Sequence, residues 1–392
     1  MPPSPTTLGG PYLWEHPAWP DGLSWDAHAV SVALATARAA HGRLVAKASL
    51  VGMADRARLE ASAIEEEALT TSLIEGERLD RESVRSSVAR QLGLDRAGAS
   101  PTARAVDGLV TVLLDATRNA HAPLTLARLC GWQAALFPTG FSGTHRVTVG
   151  TLRSGDEPMR VVSGAWGEHP VVHFEAPPSA RVPEEVETFL TWLAAPPSPD
   201  VDPFARAGLA HLRFVTIHPF DDGNGRVTRA ITDLVLAREE SGNAPRLWSL
   251  SAQIEQERAD TYDALQSAQR GQRDVTAWLV WFVGSVTRAM ARAEATIDLV
   301  LAKVRFWAAH GGRACNARQR KILDRLLQAG PAGFVGGMTT RKAAALTGAS
   351  RATAQRDLAE LVAAGMLRPL PGGGRSSAYE VVWDDASGEP RQ

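Results

Sequence analysis

Several residue types and patterns are scarce or missing in this chain of 392 residues. It has only two cysteines, Cys130 and Cys315, which is too few for a disulfide framework, and neither has the spacing of a zinc ligand. Neither a G-x-x-x-x-G-K-[ST] loop nor an H-E-x-x-H helix occurs. P-loop nucleotide hydrolysis and zinc proteolysis are therefore excluded, and redox chemistry is not expected.

Long apolar runs are also missing. The uncharged apolar stretch at residues 275–287 is too short to cross a bilayer, and residues 1–10 lack the basic and apolar regions of a signal peptide. A hydrophobic fraction of 44% is nevertheless enough for two or three domains with apolar cores. We therefore expect a cytoplasmic protein that does not bind a membrane.

The chain has little net charge, but the charge is unevenly distributed. Residues 313–392 contain twelve Lys or Arg and seven Asp or Glu, a net charge of +5, which leaves −6 for residues 1–312. The C-terminal part is thus expected to be a separate domain, and its sign allows an anionic partner such as DNA.

The chain does contain a dense group of polar residues and glycines, HPFDDGNGRVTR, at residues 218–229. Apolar spacing predicts a helix on either side of it, over residues 205–217 and 227–238. Gly223 and Gly225 let the backbone turn sharply and present amide N–H groups at the start of the second helix, where a diphosphate is favoured. This arrangement indicates a loop that binds a nucleotide.

The other side chains of this loop have separate chemical roles. Arg226 and Arg229 are three residues apart on the predicted helix, so they point the same way and suit phosphate oxygens. Asp222 is a hard oxygen ligand of the kind that binds Mg²⁺ together with phosphates. His218 can accept a proton from an attacking hydroxyl, since imidazole titrates near neutral pH. Phe220 is expected to point into the core and fix the loop.

The stretch resembles the signature of the Fic (fido) family, His-x-Phe-x-Asp/Glu-Gly-Asn-Gly-Arg-x-x-Arg, and matches it at every specified position. An accidental match in a chain of this length is far less frequent than about one in a million. The resemblance implies AMP transfer from Mg-ATP to a Ser, Thr or Tyr hydroxyl of a target protein, with His218 as catalytic base and Asp222 on Mg²⁺. The nucleotide-binding residues that it implies are Gly223, Asn224, Gly225, Arg226 and Arg229. Removal of AMP from the target is left open.

A second motif, TSLIEG at residues 71–76, ends a helix predicted over residues 55–75. It resembles the Fic inhibitory motif, Ser/Thr-x-x-x-Glu-Gly/Asn, whose glutamate pairs with the second arginine of the signature and blocks the ATP γ-phosphate. The implied pair is Glu75 with Arg229, and Thr71 shares a helical face with Glu75, where we expect it to act through helix placement. The inhibitory residues are then Thr71, Glu75 and Gly76. A solvated glutamate before a glycine C-cap is the alternative.

Residues 144–153 and 160–174 are rich in Val, Thr and His, which predicts a β-hairpin. The hairpin resembles the Fic flap, so the resemblance implies that residues 144–174 bind a target segment by strand pairing. His169 and His173 are then edge histidines of a strand and not metal ligands.

Two single residues extend the expected site. Residues 249–266 and 274–292 predict helices that resemble the closing helices of a Fic domain, where an aromatic residue can border the adenine pocket. Tyr262 is the candidate, with simple packing as the alternative. His211 lies two helical turns before His218 and is expected to be a core histidine bonded to backbone, with support of the loop as the alternative.

The C-terminal part has the pattern of a helix-turn-helix followed by a wing, with a glycine-rich tip that contains Arg375. Helices and strands are predicted over residues 317–328, 339–346, 351–364, 366–370 and 378–382. Arg351, Gln355 and Arg356 lie on the expected recognition helix, where they can reach bases or phosphates. The chain would then be a DNA-binding regulator with its Fic domain as nucleotide sensor. Protein contacts, including a homodimer, are the rival use of this domain.

The expected fold class is mainly α: a Fic-type helical core with a β-hairpin flap. Tryptophans among prolines in residues 11–25 predict an extended segment packed on a helical body, with peptide binding as the alternative. The expected parts are an N-terminal helical domain with the inhibitory helix (1–100), a Fic catalytic domain (101–295), a helical linker (296–312) and a winged helix-turn-helix domain (313–392).

Overall fold

The computed structural model describes residues 11–94, 102–163, 171–239, 246–271, 273–311, 313–330, 333–371 and 377–383. Across these residues the fold is mainly helical, which confirms the predicted fold class. The first helices are α1 (Ala27–Ser49), α2 (Met53–Ile74), α3 (Arg81–Gln91), α4 (Arg104–Arg118), α5 (Leu126–Leu136), α6 (Val182–Ala194) and α7 (Pro203–Ile217). The later helices are α8 (Asn224–Glu239), α9 (Leu250–Gln256), α10 (Arg258–Arg270), α11 (Thr276–His310), α12 (Ala317–Ala329), α13 (Thr340–Thr347) and α14 (Arg351–Ala363). Of the helices in these ranges, none has both the length and the apolar character needed to span a bilayer.

The chain divides into two compact units, Met1–Ala46 with Arg56–Ala293 and Lys47–Asp55 with Glu294–Gln392. The finer division into four domains stays a prediction. Helix α11 continues unbroken through residues 295–309, so most of the predicted linker at 296–312 is helical. That stretch contains neither Gly nor Pro, so nothing in it ends the helix.

The centre of the first unit is the pair α7 and α8, which pack against each other, and α8 also packs against α4. Helix α7 begins at Pro203, and the Asp202 side chain caps it by accepting from the Phe204 N–H at 2.8 Å. Trp278 on α11 donates its indole N–H to the Gly208 carbonyl of α7 at 2.8 Å. Since nearly all of α7 is buried, it is a rigid support for the residue that follows it.

Two small antiparallel sheets belong to the first unit. Strand β1 (Phe141–Ser142) pairs with β2 (His145–Arg146), and β3 (Arg160–Ser163) pairs with β4 (Val171–Glu175). A hairpin therefore exists over part of the predicted flap. Residues 164–170, with His169, lie outside the described residues.

The prediction that residues 144–153 form one arm of this hairpin is wrong. Only His145 and Arg146 of this stretch pair with a strand, and that strand is β1 and not β3 or β4. The backbone of residues 148–153 bonds to a neighbouring helix and to the loop after α7. The N–H of Thr148 donates to Asp221 at 3.1 Å, and that of Gly150 donates to the Gln133 amide oxygen at 2.6 Å. The N–H of Arg153 donates to the Pro219 carbonyl at 2.9 Å. A Val- and Thr-rich composition favours an extended chain, but it does not determine the partner of that chain.

The N-terminal segment is fastened by its indoles, so the packing interpretation is confirmed. Trp14 donates to the Glu175 carbonyl at 2.8 Å, and Trp19 donates to the Glu185 carboxylate at 2.7 Å. Tyr12 and Trp14 also pack with Phe174 at the end of the β3–β4 hairpin. The segment thereby supports the base of that hairpin.

The second unit contains α12, α13 and α14 with a three-stranded sheet in the order β5, β7, β6. Its strands are β5 (Met338–Thr339), β6 (Leu367–Pro369) and β7 (Ala378–Val381). A core that includes Leu323, Leu358 and Leu361 joins them. The sequence did not predict β5, because two residues carry no periodic signal. The tip at residues 372–376, with Arg375, lies outside the described residues, and the winged helix stays a prediction.

Candidate functional site

His218 stands in an unusual backbone conformation at the end of α7. Its φ of 49° and ψ of 59° are left-handed, and among the residues that the structure describes no other non-glycine residue has a positive φ. A β-carbon makes this conformation unfavourable, so the surrounding contacts must impose it. The turn separates the imidazole from the helix and leaves it on the wall of a cavity.

The loop after His218 is closed by its own side chains. The Asn224 amide accepts from the Phe220 N–H at 2.9 Å and donates to the Phe220 carbonyl at 2.7 Å, and both residues are buried. Gly223 has a φ of 87°, and a β-carbon on it would lie 2.9 Å from the Phe137 ring. Phe220 points into the core as predicted. The Asn224 amide therefore shapes the turn, and its assignment as a nucleotide-binding residue stays a prediction.

Gly225 opens the N-terminal end of α8 to an anion. A β-carbon on this residue would lie 2.1 Å from Glu75 Oε1, so the carboxylate rests directly against the glycine backbone. Unpaired N–H groups and the helix dipole favour a negative charge at such a position. A carboxylate of the protein itself therefore lies where the sequence predicts a phosphate.

Arg229 is bound by the end of α2 through three hydrogen bonds. Its Nη2 donates to Glu75 Oε1 at 2.6 Å and to the Thr71 carbonyl at 3.0 Å, and its Nε donates to Thr71 Oγ1 at 2.7 Å. The Arg229 side chain is only 7% exposed. Thr71 therefore contacts the guanidinium through both of its oxygens, while the expected role in helix placement stays a prediction. Gly76, with a φ of 82°, ends α2 beside this contact.

Arg226 makes a second, more open contact with the same segment. Its Nη1 lies 3.1 Å from Glu77 Oε2, and the Glu77 side chain is 46% exposed. The guanidinium carbon stands 4.9 Å from the centre of the Phe137 ring. Both arginines of the signature thus face carboxylates from residues 75–77, and the sequence pattern identified only one of the two.

Polar contacts hold α2 next to the loop at two further points. The buried Glu67 carboxylate accepts from the Ser249 hydroxyl at 2.7 Å and from the Ser251 hydroxyl and N–H, at the start of α9. Arg258 Nη2 donates to the Ile74 carbonyl at 3.0 Å and so caps the last turn of α2. The position of Glu75 therefore depends on α9 and α10 as well as on the loop.

A cavity of about 570 Å³ collects most of these groups. Its polar wall includes Glu75, His218, Gly225 and Arg229, and His173 and Phe174 of β4 border it on another side. A third wall comes from α9 and α10, with Ile254, Arg258, Thr261, Tyr262, Leu265 and Gln269. Tyr262 is 48% exposed, and the Arg258 guanidinium carbon lies 5.7 Å from the centre of its ring. The cavity is large enough for a nucleotide, and Tyr262 lines it.

Burial and the nearby Arg153 guanidinium lower the pKa of His218 to about 4. A backbone hydrogen bond with Val215 and the carboxylates of Glu75 and Asp222 act in the opposite direction. Although burial raises the pKa of Glu75, the Arg229 charge and hydrogen bond outweigh it, so the net pKa of Glu75 is lowered. At neutral pH the imidazole is uncharged and can accept a proton, while the carboxylate is ionised.

His211 is a core histidine, as expected, but its partner differs from the expected backbone group. Its Nδ1 lies 3.0 Å from the Thr232 hydroxyl of α8, and its ring packs near Trp278 and Phe282. Burial and the Arg229 charge lower the pKa of His211 to about 3. The neutral ring lies between α7, α8 and α11 and forms part of the cavity wall.

Asp222 lies on the partly exposed side of the loop. One carboxylate oxygen accepts from the Gly223 N–H. The neighbouring Asp221 is exposed and holds Thr148 at 3.1 Å. No group of three His, Cys, Asp or Glu residues able to hold a metal occurs in the described ranges. Any cation here would have Asp222 as its protein ligand and would need phosphate or water oxygens for the rest.

Sequence reasoning missed Arg153, although this residue touches the backbone of the candidate base. It is 5% exposed, and its Nε donates to the His218 carbonyl at 2.7 Å. The signal that could have identified it is a lone charge, flanked by Gly150 and Gly155, in a stretch otherwise without charge. An isolated arginine in an apolar stretch indicates a buried cation with a specific acceptor.

The three residues assigned to DNA contact lie elsewhere, in the second unit. Arg351, Gln355 and Arg356 are all exposed on α14, which begins after the capping residue Ser350. The next residue, Asp357, is buried and accepts from Arg318 at 2.7 Å. One face of α14 therefore packs inward while the other presents two cations and an amide.

Two family models match the chain. Residues 12–94 match a domain of unknown function, DUF4172, and residues 123–236 match the Fic/DOC family. The second match includes the whole loop at residues 218–229, while Glu75 falls within the first. The chain therefore carries a Fic/DOC family domain, as its signature predicted.

Curated relatives and a solved structure agree with this. Protein adenylyltransferase fic-1 of Caenorhabditis elegans is 34% identical over 90 residues, which is 23% of this chain and 16% of the relative. Protein adenylyltransferase Fic of Nematostella vectensis is 34% identical over 124 residues, which is 31% of this chain and 25% of the relative. The matches thus span a quarter or less of these relatives. The crystal structure of a Fic family protein from Desulfovibrio desulfuricans G20 has a similar fold, with a TM-score of 0.51, 19% identity, and coverage of 93% of this chain and 97% of that one.

Proposed function

We propose that this chain is a self-inhibited protein adenylyltransferase, which transfers AMP from ATP to a hydroxyl group of a target protein. The observation that carries the proposal is that one cavity of about 570 Å³ brings together His218, the start of α8 at Gly225, and Arg229. A base, an anion site and a phosphate-binding cation therefore face the same space. The names of the two relatives favour AMP as the transferred group.

In the proposed reaction the target hydroxyl oxygen attacks the α-phosphorus of ATP, and the bond from that phosphorus to the β-bridging oxygen breaks. Pyrophosphate leaves, and His218 takes the hydroxyl proton. The low pKa keeps the imidazole neutral before ATP binds, and the arriving phosphates raise this pKa, which strengthens the base. The N–H groups at the start of α8, with Arg226 and Arg229, hold the phosphates, and Asn224 keeps the loop in shape.

Mg²⁺ is the expected companion of ATP, and Asp222 fits the role of its protein ligand. Its carboxylate is partly exposed, one oxygen is oriented by the Gly223 N–H, and the other has no protein partner among the described residues. A single carboxylate together with phosphate oxygens and water suits this ion. When bound, the ion would neutralise part of the phosphate charge.

The inhibition would come from the end of α2. An arginine that already donates to Thr71 and Glu75 cannot at the same time hold the γ-phosphate. The ionised Glu75 carboxylate lies against Gly225 and repels a phosphate that approaches the start of α8. ATP can still bind through Tyr262 and the apolar wall, so the turnover should suffer more than the affinity. Removal of AMP, with Glu75 positioning a water, is the reverse use of the same groups.

The target segment would bind at the β3–β4 hairpin. An extended segment can add to an exposed strand edge through main-chain hydrogen bonds. Val161 and His173 of this hairpin line the cavity that contains His218. A Ser, Thr or Tyr side chain of a segment docked there would extend toward the imidazole.

The test is incubation with α-labelled ATP of the wild type, Glu75→Gly and Glu77→Gly. Glu75→Gly should increase self-labelling or labelling of lysate proteins by about tenfold or more, since it frees a buried charge-assisted contact. Glu77→Gly is the matched control, because Glu77 contacts Arg226 and not Arg229, and it should change labelling by less than about threefold. A folded Glu75→Gly protein that binds ATP but labels nothing beyond wild type contradicts the proposal.

A second function concerns α14. Its exposed Arg351, Gln355 and Arg356 favour a DNA-binding regulator as the alternative reading of the second unit. The full chain should then shift duplex DNA with an affinity that falls as salt rises, and Arg351→Ala with Arg356→Ala should weaken it. Arg368→Ala, which removes an exposed arginine on β6, is the control. Absence of a shift at low salt leaves protein contacts as the role of this helix.

A further inference from the structure

The mechanism proposed above gives no role to Arg153, a buried cation that bonds to the backbone of His218. Arg153 lies between β2 and β3 in the sequence, and its acceptors among the described residues are all backbone carbonyls. The acceptors are His218 O at 2.7 Å, Ile217 O at 3.5 Å and Pro177 O at 2.5 Å. Its own N–H donates to Pro219 O at 2.9 Å. Arg153 therefore bonds to the backbone of His218 and of the residues before and after it, and it also bonds to Pro177, just after β4.

The position explains how a histidine keeps a left-handed conformation. Helices commonly end in a glycine with positive φ, and their last carbonyls need partners. Here α7 ends at Ile217, and the next residue, His218, has a φ of 49° without being glycine. Arg153 satisfies the carbonyls of both residues from one planar group, and a cation suits the negative end of a helix. Nothing else in the described contacts of this turn supplies a charged donor.

The same guanidinium connects two functional parts. Pro177 follows β4, whose His173 and Phe174 line the cavity, and His218 lines the same cavity. A single rigid group of about five donors thus fixes the distance between the imidazole and the base of the hairpin. Burial costs a guanidinium much of its hydration, so these carbonyl contacts must be well formed to retain it.

We propose that Arg153 is a positioning residue for the reaction assigned above, holding the left-handed turn at His218 in register with the base of the β3–β4 hairpin. The inference rests on the proposed function for its kinetic consequence, although the contacts themselves do not. Because Arg153 bonds to the backbone at residues 217, 218 and 219, it keeps the imidazole at a fixed distance from the target hydroxyl. A displacement of about 1 Å at such a base can cost about a hundredfold in rate.

The electrostatic surroundings of His218 give independent support. The charged groups that face its ring are Glu75 from α2, Asp222 from the loop and Arg153. The two carboxylates raise the pKa of His218, and Arg153 lowers it. Replacing Arg153 with a neutral side chain should therefore raise the pKa of this histidine, and no transfer of AMP is needed to observe that change.

Arg206 is a matched control, because it is a buried arginine that also bonds to backbone carbonyls but lies away from the candidate base. It is 7% exposed and its Nη2 also donates to three carbonyls, those of Trp192, Leu193 and Ala195. It does not line the cavity that contains His218. Arg206→Met removes the same kind of hydrogen bonds as Arg153→Met, but it does so away from His218.

The experiment compares Arg153→Met, Arg153→Lys and Arg206→Met, each combined with Glu75→Gly so that transfer is measurable. Arg153→Met should lower kcat by about a hundredfold while the Kd for ATP changes by less than about threefold. Arg153→Lys keeps the positive charge and can still donate to one of the carbonyls. Its kcat should therefore reach about a tenth of the value of the Glu75→Gly parent. Arg206→Met should lower kcat by less than about threefold at a comparable loss of Tm. Equal losses of kcat in Arg153→Met and Arg206→Met overturn the proposal.

A titration of the His218 ring by NMR, with its signals assigned through His218→Ala, separates this proposal from the enzymatic one. Arg153→Met should raise the pKa of His218, and Arg206→Met should leave it unchanged. If no variant transfers AMP, the proposed function fails, while this titration still tests whether Arg153 sets the environment of the ring. An unchanged pKa in folded Arg153→Met overturns the positioning role.

Discussion

The loop at residues 218–229 and the end of α2 at residues 71–77 face each other across a few ångströms, but they are held in different ways. The loop closes on itself, because Asn224 bonds both backbone groups of Phe220 and Phe220 is fully buried. The end of α2 is held from outside, by Arg229, Arg226 and Arg258. The loop is stabilised by its own hydrogen bonds, whereas the position of the end of α2 depends on contacts with arginines from other elements.

This difference indicates how catalysis and control can share a single site. A preorganised loop loses little when its neighbour moves, since its own hydrogen bonds remain. A segment held by a few charged contacts can be released by any group that competes for those charges. Phosphate is such a competitor, because Arg226 and Arg229 are also the cations that we propose for ATP.

The loop side should show the largest effect, with His218→Ala. We expect loss of AMP transfer by about a thousandfold or more, because removal of a general base leaves only positioning and electrostatics. The Kd for ATP and the Tm should stay near those of the Glu75→Gly parent, since the imidazole acts on the hydroxyl. Labelling kinetics with α-labelled ATP in that parent measure the effect. Transfer at the parental rate would remove His218 from the mechanism.

The two regions also differ in how far the sequence predicted them. The loop was predicted residue by residue, because each position has its own steric or chemical requirement, as with Gly223 and its positive φ. The contact of Glu75 with Arg229 was predicted as a pair, but the added bonds to Thr71 were not, since they depend on helix rotation. Arg153 and Arg258 were missed because their partners are backbone carbonyls, which no pattern of side chains encodes. The prediction of a hairpin arm at residues 144–153 was wrong because composition does not determine which groups an extended chain bonds to.

The control region should show the next largest effect, in a double-mutant comparison. Glu75→Gly should raise AMP transfer by about tenfold to a hundredfold, and Glu75→Gly with Arg229→Ala should be inactive again, since Arg229 is needed for phosphate once it is free. Because the pKa of Glu75 is lowered, its carboxylate stays ionised, and the inhibition should not vary between about pH 6 and pH 9. A double variant as active as Glu75→Gly would exclude Arg229 as the target of inhibition.

A smaller effect should arise at the exposed side of the loop. Asp222→Ala should weaken the affinity for ATP by about tenfold when Mg²⁺ is present and leave it unchanged in EDTA, because the carboxylate acts through the ion. Asp221→Ala is the control, since Asp221 bonds Thr148 and is the adjacent exposed carboxylate. Calorimetry of wild type and both variants measures the difference. Equal ATP affinity of the wild type with and without Mg²⁺ would contradict the role of Asp222.

The smallest effect should appear at Thr71, and it bears most directly on how the end of α2 is held. Thr71→Val keeps the size and shape of the side chain but removes the acceptor of the Arg229 Nε, so a buried donor loses its partner. The Thr71 carbonyl and Glu75 still hold the guanidinium, which limits the loss to roughly 1 kcal/mol or about fivefold activation. Thr71→Ser retains the hydroxyl and should behave as wild type in the same labelling assay. If Thr71 acted only through helix placement, both variants would leave labelling unchanged. Helix α2 would keep its position, because its Glu67 still bonds to Ser249 at the start of α9. Activation by Thr71→Val alone would show that inhibition is graded by the number of bonds that occupy Arg229.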